Sequence, residues 1–207
     1  MSKSEVSKAA IGRMPVYLKY LKSLPKDSCK NISATTIAKE LNFGEVQVRK
    51  DLSSVSGAGK PKIGYDVSEL IKSIESFLKY DNPSRVVIIG AGKLGRAILD
   101  YGGFSDYGLE ITAAFDNALE KFEKSAKGKP IYPVSEFERY CKDNSVKIAV
   151  ITVPCKNAQE ACDMAVKNNV CAIWNFTEQK LKVPSNIAVQ YENIALSLAN
   201  LNKQINN

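Results

Sequence analysis

The chain has 207 residues, 44% hydrophobic and 25% charged, enough for one large or two small domains of ordinary soluble composition. No stretch has the length of a membrane-spanning helix and the N-terminus has no apolar leader core, so a cytoplasmic protein with no membrane partner is expected. There is no histidine, which excludes Ser-His and Cys-His nucleophile pairs, histidine-ligated metals and the commonest general acid/base. The five cysteines, Cys29, Cys141, Cys155, Cys162 and Cys171, form no C-x-x-C pair, so reduced thiols and no metal site are expected. Residues 1–80 carry 14 Lys and Arg against 8 Asp and Glu, and residues 81–207 carry 15 against 14. Nearly all of the net +7 therefore sits in the first eighty residues, the pattern of a chain whose N-terminal part meets a polyanion.

From the N-terminus, Ile11 to Leu24 places Ile11, Val16, Leu18, Leu21 and Leu24 at broadly helical spacing, with Pro15 suited to a first turn and Pro25 as the stop. Ser33 is positioned to cap a second helix over residues 34–41 that buries Ile37, Ala38 and Leu41. Asn42-Phe43-Gly44 reads as a tight turn, with glycine supplying a positive φ. A third helix over residues 45–54 buries Val48, Leu52 and Val55 and presents Gln47, Arg49, Lys50, Ser53 and Ser54. Two short helices about a tight turn, the second polar and basic, make a helix-turn-helix. Its chemistry suits double-stranded DNA: Gln47 pairs with adenine, Arg49 and Lys50 with guanine, and Ser33, Ser53 and Ser54 with phosphates. The glycine-rich run 56–65 reads as a wing that lays Lys60 and Lys62 on the DNA backbone. Asp66 and Glu69 then open a fourth helix with Leu70, Ile71, Ile74, Phe77 and Leu78 on its buried face, and residues 81–84 are a linker.

Beyond the linker, residues 85–89 form a β-branched strand. Gly90-Ala91-Gly92-Lys93-Leu94-Gly95 follows it, then a helix over 96–101 and a second strand ending at Asp116. G-x-G-x-x-G between strand and helix, with an acid about twenty residues on, is the dinucleotide fingerprint in its required context. Gly90 makes the turn, Gly92 lets the backbone approach a pyrophosphate, and Gly95 allows close helix–strand packing. Asp116 accepts from an adenosine ribose and repels a 2′-phosphate, which favours NADH and NAD+ over their phosphorylated forms. Strands at 131–134, 147–153, 171–174 and 187–189 alternate with helices at 136–143 and 158–168, implying a parallel, doubly wound sheet. Thr152-Val153-Pro154 ends one of those strands and flanks the adenine side. Tyr101 and Phe104 are candidates for the nicotinamide side. The last helix, from Glu192 to about Ile205, carries a stripe of Ile194, Leu198, Leu201 and Ile205 that needs a burying surface, on its own domain or on a second copy.

The motif Val48-Arg49-Lys50-Asp51-Leu52-Ser53, the wing ending in Gly64-Tyr65-Asp66-Val67, the fingerprint followed by Tyr101, Thr152-Val153-Pro154 and Asn175-Phe176 together resemble Rex, a family of bacterial redox-sensing transcriptional repressors. The resemblance spans essentially the whole chain. It implies an α/β protein with a winged helix-turn-helix domain at 1–80, a Rossmann domain at 81–190 and a terminal dimerisation helix at 191–207. It also implies a homodimer with exchanged C-terminal helices, bound to palindromic operators, released by NADH and left in place by NAD+. Three positions depart from the family pattern. Glu178 stands where proline is usual, Lys19 where arginine is usual, and Ala195 where aspartate is usual. Lysine keeps charge but loses the bidentate fork.

The alternative from the residues alone is an NAD-dependent dehydrogenase with a helical appendage, which the lack of histidine and of any catalytic constellation disfavours. A CoA-binding domain of the succinyl-CoA-synthetase type shares the α/β pattern, but those enzymes phosphorylate a histidine. No catalytic residue is assigned, and the expectation is a protein that is not an enzyme.

Overall fold

The computed structural model of the protein describes residues 6–25 and 30–205. Cys29 and the last two residues of the dimerisation helix expected at 191–207 lie outside them. The chain divides into two compact units, Met1–Pro83 with Asp106–Gly108, and Ser84–Ser105 with Leu109–Asn207.

The first unit comprises α1 (Lys8–Ser23), β1 (Asn31–Ile32), α2 (Ala34–Leu41), α3 (Glu45–Ser56), β2 (Tyr65–Asp66) and α4 (Val67–Phe77). Its core joins Met14, Tyr17, Leu18 and Leu21 of α1 to Ile37 and Ala38 of α2, Val48 and Leu52 of α3, and Leu70 and Ile74 of α4. The first helix corrects the sequence reading in two ways. Pro15 lies inside it rather than in its first turn, and Ile11 and Val16 are exposed. The inward stripe is Ala10, Met14, Tyr17, Leu18 and Leu21, and burying it outweighs the hydrogen bond that proline removes. Ser33 caps α2 by accepting from the Thr36 amide at 2.9 Å. The left-handed residue of the turn is Asn42 (φ 54°), not Gly44 (φ −69°), since asparagine tolerates that conformation better than most residues. The sequence reading also missed β1, which pairs antiparallel with β2. Between α3 and β2, Lys60 and Gly64 exchange both backbone hydrogen bonds at 2.8 Å, closing the wing.

One buried charge fixes α3 against α1. Asp51 is 5% exposed. It accepts from Arg13 Nε at 2.7 Å, Arg13 Nη2 at 2.9 Å and the Tyr17 hydroxyl at 2.7 Å. The Gln47 side-chain amide lies against the same guanidinium, and in the orientation that hydrogen bonding requires its oxygen accepts from Nε at 2.8 Å and Nη1 at 2.9 Å. The hydrogen bond to Asp51 raises the pKa of Arg13, and burial followed by the Asp51 carboxylate raises that of Tyr17, which stays a donor.

The second unit is a seven-stranded sheet in the order β5-β6-β4-β3-β7-β8-β9. Its strands are β3 (Ser84–Ile89), β4 (Leu109–Asp116), β5 (Glu123–Lys124), β6 (Pro130–Pro133), β7 (Ile148–Ile151), β8 (Ala172–Asn175) and β9 (Ala188–Tyr191). All pairings are parallel except β5 with β6, a short hairpin absent from the sequence reading. Val87 and Ile89 face one core with Phe137 and Cys141 of α6 (Phe137–Asn144) and Ala161, Cys162 and Ala165 of α7 (Ala158–Lys167). Val86 and Ile88 face the other core with Ile98 and Leu99 of α5 (Lys93–Asp100). Helices therefore cover both faces, as period-two alternation of apolar strands requires. α5 starts at Lys93, not at residue 96, so Gly95 is helical. The last helix, α8 (Ile194–Ile205), leaves Ile194, Leu196, Leu198, Leu201 and Ile205 between 56% and 75% exposed. Among the described residues, no helix is long and apolar enough to cross a membrane.

Two outcomes follow from this packing. Asp51→Ala strands the Arg13 guanidinium and should destabilise the helical unit by about 3 kcal/mol in urea unfolding; a loss below about 1 kcal/mol would show that the ion pair does not hold the helices. Burial pushes the thiols of Cys141 and Cys162 up to about 11, while Cys155 and Cys171 are exposed. Alkylation of the native protein at neutral pH, read by mass spectrometry, should therefore label Cys155 and Cys171 and spare the other two.

Candidate functional site

The register of three strands builds the site. Ile89 of β3 pairs with Phe115 of β4 on one side and Ile151 of β7 on the other. The next residue of each strand, Gly90, Asp116 and Thr152, therefore arrives at one carboxyl edge. The chain turns to opposite sides of β3 there, which is the switch point where α/β sheets bind ligands.

Side chains and turns knit these ends together. The Gly90 amide donates to Phe115 O at 2.7 Å, and the Thr152 hydroxyl donates to Gly90 O at 2.7 Å. Asp116 accepts from the Ala91 amide at 2.7 Å and from the Ala118 amide at 2.9 Å. Arg96 Nε donates to Ala91 O at 2.8 Å while its Nη2 reaches Glu123 at 2.8 Å, which ties the loop to β5. Gly90 has φ 103°, and a Cβ there would sit 2.8 Å from the Thr152 carbonyl carbon. A Cβ on Gly95 would meet Gly90 O at 2.0 Å, whereas one on Gly92 would meet nothing within 4 Å. The loop is thus pressed against the sheet at Gly90 and Gly95 and open at Gly92, at the N-terminus of α5.

A cleft of about 850 Å³ lies along this edge. Of the residues singled out in the sequence, it gathers Gly90, Gly92, Asp116, Thr152, Val153 and Pro154; Ala91, Lys93, Leu94, Gly95 and Tyr101 do not line it. It also includes Asn117, Ser135, Asn157, Glu160, Met164 and Lys167, which the sequence reading passed over. Their only sequence signal is position, in the turns after β4, β6 and β7 and along α7 from its first turn to its last residue. Tyr101 instead begins an aromatic cluster. Its ring meets Phe104 at 5.2 Å, Phe104 meets Trp174 at 6.0 Å, and Trp174 meets Phe176 at 4.5 Å, with Trp174 Nε1 donating to Glu192 at 3.3 Å. Asn175, fully buried, organises the turn that follows β8. It donates to the carbonyls of Thr177 and Gln179 and accepts from the Thr177 amide, so the turn closes with Glu178 in place of proline.

In the helical unit, a second groove of about 560 Å³ brings together Ser33, Arg49, Lys50, Ser53, Lys60 and Lys62 between α2, α3 and the wing. Gln47 and Ser54 lie off it. Gln47 is turned to Arg13, and Ser54 donates back to Asp51 O at 2.6 Å. Arg49 pairs with Glu45 one turn earlier. Among the described residues, no three His, Cys, Asp or Glu side chains are grouped to hold a metal ion.

Comparisons with known proteins bear on both units. The family model described as "CoA binding domain" matches residues 81–179, and the one described as "Putative DNA-binding protein N-terminus" matches residues 5–53. The redox-sensing transcriptional repressor Rex of Treponema denticola is 42% identical, over 100% of this chain and 99% of that one. The chain belongs to the Rex family of redox-sensing transcriptional repressors. Rex of Brevibacillus brevis is 36% identical, over 97% of this chain and 98% of its own. Among solved structures, RSP in complex with β-NAD+ and operator DNA is 32% identical with a TM-score of 0.80, covering 98% of this chain and 94% of that one. RSP in complex with β-NADH is 30% identical with a TM-score of 0.72, covering 98% and 95%. These full-length relatives are named as repressors, not enzymes, and the dehydrogenase alternative is set aside on that ground.

The two open and closed glycine positions give a direct check. Gly95→Ala should destabilise the sheet unit by about 2 kcal/mol through overpacking, while Gly92→Ala should change its urea stability by less than about 1 kcal/mol. Equal losses at the two positions would contradict the geometry.

Proposed function

We propose that this chain binds NADH and NAD+ through its fingerprint loop and operator DNA through its winged-helix groove, and that NADH binding releases the DNA. One observation carries the cofactor half: the loop is open at Gly92, where a pyrophosphate must approach the amides of α5, and braced by Asp116 and Thr152 on both sides. Phosphates there also meet the positive end of the helix dipole. Asp116 already accepts two backbone hydrogens, yet a carboxylate oxygen has a second lone pair, so a ribose hydroxyl can still donate to it. A 2′-phosphate would instead bring charge against charge. Val153 and Pro154 offer apolar surface to the adenine. The groove of Arg49, Lys50, Lys60 and Lys62 supplies the charge that a duplex backbone requires.

The domain plan that goes with this reading is a winged helix at 1–80, a Rossmann domain at 81–190 and a dimerisation helix at 191–207. The exposed stripe of α8 supports a homodimer in which a second copy covers it. Two-fold symmetry then matches a palindrome with half-sites about 34–36 Å apart. NADH can release the DNA only if it binds the released state more tightly than the DNA-bound state, and NAD+ leaves the DNA in place only if it does not. Reduction alters only the nicotinamide ring, so discrimination belongs near Tyr101 and Phe104, with Trp174 and Phe176 continuing the same cluster. The cellular location that goes with operator binding is the cytoplasm.

The test is fluorescence anisotropy of a labelled palindromic A/T-rich duplex at fixed salt, titrated with each nucleotide. NADH should weaken binding by about tenfold or more, and NAD+ should not. Equal effects of the two nucleotides would contradict a redox readout.

A further inference from the structure

The helix α3 has two faces. Val48, Asp51 and Leu52 are buried. Val46, Arg49, Lys50 and Ser53 stand at i, i+3, i+4 and i+7 and share the outer face. Arg49, Lys50 and Ser53 line the basic groove beside the wing. Val46 is 65% exposed at the leading turn of the same stripe, an apolar, β-branched side chain among charged ones. Helix propensity does not favour valine at an exposed position. The neighbouring Gln47, the residue type that pairs with adenine, is held by the Arg13 guanidinium instead. Ser53 donates to Lys50 O at 2.9 Å, and Arg49 is paired with Glu45. The leading turn of the stripe, the part of a recognition helix that meets base edges, therefore exposes a pair of methyl groups.

We propose that Val46 reads a thymine, packing its methyls against the C5-methyl group of one base in each operator half-site. Among the major-groove edges only thymine presents a methyl group, and apolar side chains are its natural partner. The A·T pair is then recognised from its thymine side rather than through adenine and Gln47. The charge of the flanking Arg49 and Lys50, with Lys60 and Lys62 across the groove, makes duplex DNA the partner that this face fits. The proposal rests on the operator-binding reading above.

The experiment uses the full-length protein and palindromic duplexes that it selects from a randomised library. Each thymine of the selected duplex is replaced in turn by deoxyuridine, which removes only the methyl group. One symmetric position should weaken binding by about fourfold per half-site, the weight of one buried methyl. Val46→Ala should weaken binding to the thymine duplex and bind the thymine and deoxyuridine versions equally well, closing a double-mutant cycle. Arg49→Ala, in contrast, should weaken both duplexes alike and keep the thymine preference. Val46→Ala should also unfold in urea as the wild type does, since the side chain is exposed. If a duplex is selected but no deoxyuridine position loses its effect in Val46→Ala, the proposal is overturned while DNA binding stands. If no duplex is selected, operator binding itself is overturned, and the proposal falls with it.

Discussion

The Asp116 carboxylate accepts the Ala91 amide hydrogen at 2.7 Å, and the geometry of the nucleotide edge depends on that contact. It joins the end of one strand to the glycine loop that follows its neighbour. Thr152 makes the same kind of tie from the other side, through Gly90 O. Between them the two ties hold the loop against both neighbouring strands, just ahead of the N-terminus of α5. A loop of glycines would otherwise be costly to order, because glycine loses more backbone freedom than any other residue. Here the cost is met by the sheet before any ligand arrives, which is what preorganised binding needs.

The helical unit solves a similar problem with Asp51. An acid in the middle of a recognition helix is poor chemistry toward phosphates, but this one faces inward, against Arg13 and Tyr17. A buried ion pair of this kind is a device of specificity more than of net stability, since desolvation offsets much of its attraction. It fixes the rotation of α3 about its axis. That rotation puts Arg49, Lys50 and Ser53 into the groove, leaves Val46 exposed on the same stripe and turns Gln47 toward Arg13. Each unit thus uses one motif carboxylate to hold the part that faces its proposed ligand.

Much of this was legible in the chain. The fingerprint and the alternation of strands and helices carried the sheet, because buried parallel strands announce themselves as apolar runs between glycine or proline turns. The helix-turn-helix was legible from caps and periodicity. The sequence could not show that Pro15 sits inside α1, because tertiary packing overrode propensity there. It could not show β1, β2 or β5, two-residue strands with too few residues for any period. Gln47 looked like a base reader by type, and only the position of Arg13, 34 residues earlier, turns it away. The cleft residues of α7 and the turns before it were equally silent, since polar residues near strand ends have no pattern that separates a binding wall from a solvated loop. Family resemblance filled the gap that physics left at the last helix, whose stripe alone suited its own domain or a second copy.

The central claim is that cofactor and DNA report on one equilibrium, and thermodynamic linkage tests it most directly. Coupling between two binding sites is reciprocal, so the factor by which NADH weakens the duplex must equal the factor by which the duplex weakens NADH. The single tryptophan, Trp174, stands in the aromatic cluster beside Phe104, and the quenching of its fluorescence offers a direct readout of dihydronicotinamide binding. Titrating NADH into the protein alone and into the protein saturated with its selected duplex gives the second factor. Redox control of DNA binding predicts an NADH dissociation constant about tenfold or more higher with the duplex bound. An NADH affinity that the duplex leaves unchanged would contradict it.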